Sequence, residues 1–211
     1  APGNVQLNEQ QIRGVLACLQ YKISIITGGP GTGKTTLLKQ LLFVLKEHRV
    51  AVKLAAPTGR AAKRMFEGTG SPTETIHRLL EFNPQLHGFS RIVQNALQAD
   101  FLIVDEASMI DVFLMHSLLR ALPDTAHLIL LGDVDQLPSV GAGNVLGDLI
   151  RSGVVPVTRL TEIFRQAQDS MIIVNAHRVN RGEFPSSRAE DGQSSKKDFV
   201  FIKQEQPEEM F

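Results

Sequence analysis

Gly28-Gly29-Pro30-Gly31-Thr32-Gly33-Lys34-Thr35 fits the pattern G-x-x-x-x-G-K-[ST] without a mismatch. Its surroundings fit as well. Ile23-Ser24-Ile25-Ile26-Thr27 precedes it, a β-branched apolar run of strand length. Thr36-Leu37-Leu38-Lys39-Gln40-Leu41-Leu42-Phe43-Val44-Leu45-Lys46 follows with helical period. Strand, glycine loop and helix together make a phosphate site. The glycines let backbone N–H groups converge on an anion without Cβ interference. The helix start adds unsatisfied donors and the favourable end of its dipole. Lys34 is placed to reach β- and γ-phosphates, and the Thr35 hydroxyl to ligate Mg²⁺.

Working outward, Asn8 reads as the N-cap of a helix over 9–20, with Ile12, Val15, Leu16 and Leu19 on one face. Val50–Ala56 reads as a second strand, broken by Pro57-Thr58-Gly59, and Arg60–Met65 starts a helix. Gly68–Pro72 is a turn, followed by a short helix with Thr75, Ile76 and His77. Residues 82–99 are weakly periodic. Phe101–Val104 is a short buried strand ending in Asp105-Glu106, and Asp111 caps a helix that Pro123 closes. His127–Leu131 is another buried strand, ending at Gly132-Asp133. A helix near 144–151, a strand near 156–160 and a helix near 169–180 follow. Residues 185–197 read as a mobile loop, and Asp198–Ile202 as one more strand.

Short apolar strands alternating with helices predict an α/β fold with a parallel sheet covered on both faces. In such sheets ligands bind beyond the C-terminal strand ends. The glycine loop, Pro57-Thr58, Asp105-Glu106 and Gly132-Asp133 all follow strand ends and are expected on one edge.

Composition narrows the field. Lys and Arg balance Asp and Glu at a formal net charge of zero, so the chain is no polycation and nucleic-acid binding needs a local patch. Lys53, Arg60, Lys63, Arg64 and Arg78 against Glu67 and Glu74 make residues 53–78 basic, while 183–211 lean acidic. The single Cys18 excludes an internal disulfide and a cysteine zinc cluster, and sits in an apolar helical pattern as a core thiol. No signal-peptide pattern and no long apolar run occurs, so a soluble, intracellular protein with no membrane partner is expected.

Each chemical residue has two readings. Asp105 suits a Mg²⁺ ligand, direct or through water, and Glu106 suits a group that orients and polarises the attacking water. A solvated carboxylate pair at a loop is the alternative. Gln136, in Gly132-Asp133-Val134-Asp135-Gln136-Leu137-Pro138, is a neutral amide able to sense a γ-phosphate or its attacking water, with Asp133 bonding within the magnesium site. A structural turn fits that stretch too. Arg165 alone reads as a surface residue.

In order, these segments resemble the first motor domain of a superfamily 1 DNA helicase of the RecD-like branch, which includes the alpha subunit of exodeoxyribonuclease V. The resemblance covers residues 5–183: Leu7–Gln11 is similar to the adenine-reading element, Gly28–Thr35 to motif I, Ala55–Ala62 to motif Ia and Thr75–His77 to motif Ib. Asp105–Met109 resembles motif II, Gly132–Val140 motif III, and Leu160–Gln166 motif IV. The resemblance implies a three-layer P-loop NTPase fold of RecA type, with a mostly parallel sheet. It places ATP and Mg²⁺ among Gln11, Gly29, Pro30, Gly31, Thr32, Gly33, Lys34, Thr35 and Thr36, and makes Arg165 the γ-phosphate arginine. It puts Thr58, Arg60, Thr75 and His77 on a single-stranded DNA surface, for which hydroxyls and basic groups suit phosphates without reading sequence. Thr58 reads equally as a helix cap, His77 as an ordinary helix residue, and Arg60, Lys63 and Arg64 as a solvated face.

The family motif order also places a small strand-separating pin at 82–99. Roughly 45 residues follow Arg165, too few for a second RecA-like domain. A first motor domain at 1–183, a loop at 184–197 and the start of a further element at 198–211 are therefore expected, with unwinding impaired. Two functions are consistent with this: an ATP-driven motor stepping 5′ to 3′ on single-stranded DNA, or a nucleotide-dependent switch inside an exodeoxyribonuclease V-type complex. A nuclease is disfavoured, because no carboxylate cluster remains beyond those assigned to magnesium and ATP.

Overall fold

The computed structural model describes residues 6–86, 88–164, 167, 169–186 and 198–202. The strands are β1 (Ile23–Gly28), β2 (Val52–Ala56), β3 (Thr73–Thr75), β4 (Phe82–Asn83), β5 (Gly88–Phe89), β6 (Phe101–Val104), β7 (His127–Gly132) and β8 (Val157–Leu160). The helices are α1 (Glu9–Gln20), α2 (Lys34–Glu47), α3 (Gly59–Thr69), α4 (Ile76–Leu79), α5 (Val112–Ala121), α6 (Val145–Ser152) and α7 (Met171–Asn180). Six strands form one sheet in the order β3-β2-β6-β7-β1-β8, and every pairing in it is parallel.

The chain divides into two compact units, one of 1–29 with 33–161, the other of 30–32 with 162–211. The first unit holds the sheet and two apolar layers. Alternate residues of β6 face opposite ways: Leu102 and Val104 pack with Leu79, Met115, Leu118 and Leu146 on one side. Phe101 and Ile103 pack with Cys18, Leu37, Leu41 and Met65 on the other. This is the period-2 side-chain alternation of a strand with both faces buried.

Caps set where the helices begin. Asn8 and Gln11 close a reciprocal capping box on α1, with Asn8 Oδ1 accepting from Gln11 N–H at 2.8 Å and Gln11 Oε1 from Asn8 N–H at 3.1 Å. Asp111 Oδ1 accepts the Leu114 N–H at 2.7 Å to start α5. Gly70 (φ +70) and Gly153 (φ +67) end α3 and α6 in the left-handed region, where a side chain would be strained.

The apolar stripe expected for α1 is not its buried face. Gln11, Gly14 and Cys18 are buried, whereas Ile12, Leu16 and Leu19 are exposed. The reason is close approach. A Cβ on Gly14 would lie 2.8 Å from Leu37 Cδ1 and 3.2 Å from Thr158 Cγ2, so the helix presents its small face to its neighbours.

Within 82–99, β4 and β5 pair antiparallel as two short strands, with Phe82 opposite Phe89 and Asn83 opposite Gly88. Arg91 and Glu81 pair at 2.6 Å beside it.

In the second unit, Ser170 caps α7 and Asn175 trades two 2.8 Å bonds with the main chain of Ser186. His177 Nε2 donates to the Pro30 carbonyl at 2.9 Å, and Phe164 N–H to Gly31 at 3.2 Å. Residues 198–202 are irregular, against the strand expected there. Among the described residues they have no strand partner, and Asp198 instead accepts from the Ser170 hydroxyl at 2.6 Å and Met171 N–H at 2.9 Å.

Candidate nucleotide site

Because β6, β7 and β1 are parallel neighbours, the segments that follow them leave the sheet at one edge. The register pairs Thr27 with Gly132 and Val104 with Leu130, which brings Gly28-Gly29, Asp105-Glu106 and Asp133 side by side. Thr58 and Thr75 follow β2 and β3 on the same edge, where Ala56 pairs with Thr75. The expected gathering of motifs at the C-terminal strand ends is therefore present within the first unit.

Gly33 caps α2 at φ +83 with no side-chain hydrogen bond. The first-turn N–H groups are thus left for an anion. Lys34 Nζ donates to the carbonyls of Gly28 and Gly29, the latter at 3.2 Å. Among the described residues Lys34 has no carboxylate within salt-bridge distance. Burial lowers its pKa, and the fields of Asp133, Asp105 and Glu106 push it back up. A half-buried cation resting on neutral carbonyls beside an uncapped helix start fits a phosphate group.

Desolvation raises the Asp105 carboxyl above the usual range, opposed by the Glu106 N–H that Oδ1 accepts at 2.9 Å and by Lys34. Burial also raises Glu106, and Asp105 beside it adds to the rise. Glu106 sits at φ +53, a left-handed conformation that costs a non-glycine residue roughly 1–2 kcal/mol. Strain of this kind at a carboxylate next to a phosphate loop is a functional signature. Asp133 is buried and accepts from Asp135 N–H at 3.1 Å, while Gln136 Nε2 reaches its other oxygen at 3.5 Å, a long contact. Gln136 itself is exposed. The hydroxyl of Thr35 with the carboxylates of Asp105 and Asp133 is a hard oxygen donor set, which fits Mg²⁺.

Gln11 is fully buried, and its Nε2 donates to the Gly33 carbonyl at 3.2 Å. It therefore ties the α1 cap to the phosphate loop. One amide proton and one lone pair remain for another partner. Thr36 lies half-buried in the first turn of α2. Pro30, Gly31 and Thr32 group with the second unit, and Arg165 lies outside the described residues.

Among the residues assigned to DNA, Thr58 Oγ1 accepts Ala61 N–H at 3.2 Å and Thr75 Oγ1 accepts Arg78 N–H at 3.2 Å. Both cap their helices. Arg60 is exposed in the first turn of α3. The exposed His77 ring lies 5.9 Å from Phe82 and 5.6 Å from Phe89.

Two contributions were not legible beforehand. Arg64, on the solvated face of α3, lowers Glu106 through its charge, and only the helix's position at the edge shows this. Gln10 exchanges two hydrogen bonds with Thr161, at 2.8 and 2.9 Å, linking α1 to the end of β8 across 151 residues; no local pattern signals it.

A parallel sheet with a glycine phosphate loop, a paired Asp-Glu and a half-buried lysine at one edge defines a P-loop nucleotide-binding domain. Residues 11–142 match the AAA domain family, and the chain belongs to it. It is 42% identical over 180 residues to the ATP-dependent RecD2 DNA helicase of Deinococcus radiodurans, a match covering 85% of this chain and 25% of the relative. It is 40% identical over 173 residues to the RecBCD enzyme subunit RecD of Haemophilus influenzae, covering 70% of this chain and 27% of the relative. The chain thus spans about a quarter of the length of these curated relatives. Among solved structures, the Pif1 helicase from Candida albicans superposes with a TM-score of 0.65 at 25% identity, over 86% of this chain and 45% of that one. Bacteroides Pif1 bound to ssDNA does so with a TM-score of 0.61 at 22% identity, over 86% and 47%, a likeness of fold. The chain is a RecD-like P-loop domain, homologous to these helicases, as the motif order implied.

Proposed function

We propose that this chain is the ATP-binding and hydrolysing motor domain of a DNA helicase that steps 5′ to 3′ along single-stranded DNA in repair and recombination. The observation that carries the reading is Lys34, half-buried at the start of an uncapped helix, with the fields of Asp133, Asp105 and Glu106 acting on it.

In this reading Lys34 leaves the loop carbonyls to hold the β- and γ-phosphates, and the N–H groups of the first turn of α2 complete the cradle. Thr35 and Asp105 would hold Mg²⁺, which would supply positive charge against the phosphates. Glu106, held by its left-handed backbone, orients the attacking water and takes its proton. Gln136, tethered to Asp133, senses whether the γ-phosphate is present. Gln11 uses its remaining donor and acceptor on the adenine edge, which requires opening of its buried pocket. Arg165 supplies positive charge to the transferred phosphoryl group.

Thr58, Arg60, Thr75 and His77 face the DNA strand from the same edge, and the 82–89 hairpin serves as a small pin. The partners are single-stranded DNA, a second RecA-like domain of the same protein and, by likeness to RecD, subunits of an exodeoxyribonuclease V-type complex. The protein works in the cytoplasm at the nucleoid. Assayed alone, this chain binds Mg–ATP, hydrolyses it slowly and does not unwind.

Calorimetry on Lys34→Ala is expected to show Mg–ATP affinity reduced about tenfold or more, since a charge-assisted phosphate contact is lost. Glu106→Gln keeps the affinity and lowers single-turnover hydrolysis by on the order of 10²-fold. Unchanged affinity in Lys34→Ala sinks the phosphate-loop assignment.

A further inference from the structure

A second depression, far from the nucleotide site in residue content, runs along the free edge of β3. It encloses about 900 Å³. β3 is the terminal strand of the sheet and pairs on one side only, with β2. In a parallel strand successive residues direct their N–H and C=O groups to opposite sides, so β3 leaves main-chain donors and acceptors on its open side.

The floor beside that edge is apolar. Leu42, Val50 and Val52 are part-buried in it, and Phe66 stands 50% exposed over it. The rim is basic. Lys46, Arg49, Lys53 and Arg78 line it, all exposed and none in an ion pair among the described residues, against the single acidic Glu74. Arg49 occupies the position after α2 at φ +55, where glycine is the unstrained choice. A charged side chain is thus kept at the rim in a strained backbone conformation.

The geometry points to a docking groove for an extended acidic segment of a partner protein, which adds as a strand to the β3 edge. Its main chain pairs with β3, alternate apolar side chains enter the floor over Phe66, and the acidic side chains between them, directed to the opposite face, meet Lys53 and Arg78. A peptide fits better than a nucleic acid. An open strand edge offers bonding that only another main chain uses in full. The groove shares no residue with the nucleotide site, so its fate leaves the Lys34 reading untouched.

The test uses a fluorescein-labelled octapeptide in which Glu alternates with Val, read by polarisation on the whole chain. Saturable binding is expected, weakened about tenfold or more in Lys53→Glu/Arg78→Glu, with Mg–ATP affinity of that variant unchanged. The same peptide N-methylated at alternate residues is expected to bind at least about tenfold more weakly, because strand pairing is blocked. Absence of binding, or equal binding by the double variant or the methylated peptide, overturns the proposal and leaves β3 a short, charge-protected edge. An oligo-dT that binds the chain, is lost in the double variant and displaces the peptide overturns it in favour of a nucleic-acid surface.

Discussion

The nucleotide site concentrates three ionisable groups whose charged forms the fold disfavours. Asp105 and Glu106 are raised by burial, and Lys34 is lowered by it. For a carboxyl raised on folding, the stabilising contribution is present below its unfolded pKa and is lost as pH rises through the folded one. At neutral pH both carboxylates are therefore a net cost in the free protein. Asp105→Asn and Glu106→Gln are each expected to raise Tm by about 2–4 °C at pH 7, the equivalent of ~1 kcal/mol in a chain of this size. The gain should vanish as pH falls below the ordinary carboxylate range, where the unmutated groups are protonated. Thermal melts at pH 7 and pH 3 decide it, and a Tm lowered at pH 7 by both changes contradicts the burial argument. The residue types and spacing around Lys34 were readable in the sequence. The strain at Glu106 and the tether from Gln136 to Asp133 were not, because φ and side-chain partners are set by how β6 and β7 end beside β1.

At the scale of elements, caps and catalytic loops coincide. Thr58 and Thr75 end strands, begin helices and face the edge that holds the nucleotide site. The two readings of Thr58 are thus compatible, and substitution separates them. Thr58→Ala is expected to cost about 1 kcal/mol through loss of the α3 cap. Thr58→Asp keeps the cap, so Tm holds, while its charge repels phosphate and weakens binding of single-stranded DNA in a salt-dependent way. Loss of Tm in both variants, with DNA affinity unchanged by Asp, leaves Thr58 a cap and nothing more. Helix α1 shows the opposite case, in which pattern misleads. Its apolar stripe at Ile12, Leu16 and Leu19 has the right period for a core face, yet Gly14 allows a closer approach on the other side, and tight packing wins. Strand Asp198–Ile202 fails for want of a neighbour. A β-branched and aromatic run becomes a strand only when another edge pairs with it.

For the whole molecule, the two apolar layers of the first unit act as one protected interior. Cys18 lies in it at 0% exposure, and burial pushes its thiol up to about 11. A thiol reagent at pH 8 is expected to label Cys18 only as fast as the unit opens, with the rate rising steeply across the denaturant transition. Prompt labelling of the native protein contradicts the buried placement. The sequence by itself determined the phosphate loop, the order of strands and helices, the sheet's parallel character and the residues with chemistry to offer. It could do so because strand period, glycine freedom and capping are local properties of a few neighbouring residues. Only the tertiary structure decided which face of α1 is buried, that Glu106 is held at positive φ, and that β3 ends the sheet beside cations that make no ion pair among the described residues. Those features depend on which distant segments meet, and strand order and close approach decide that after the local elements have formed.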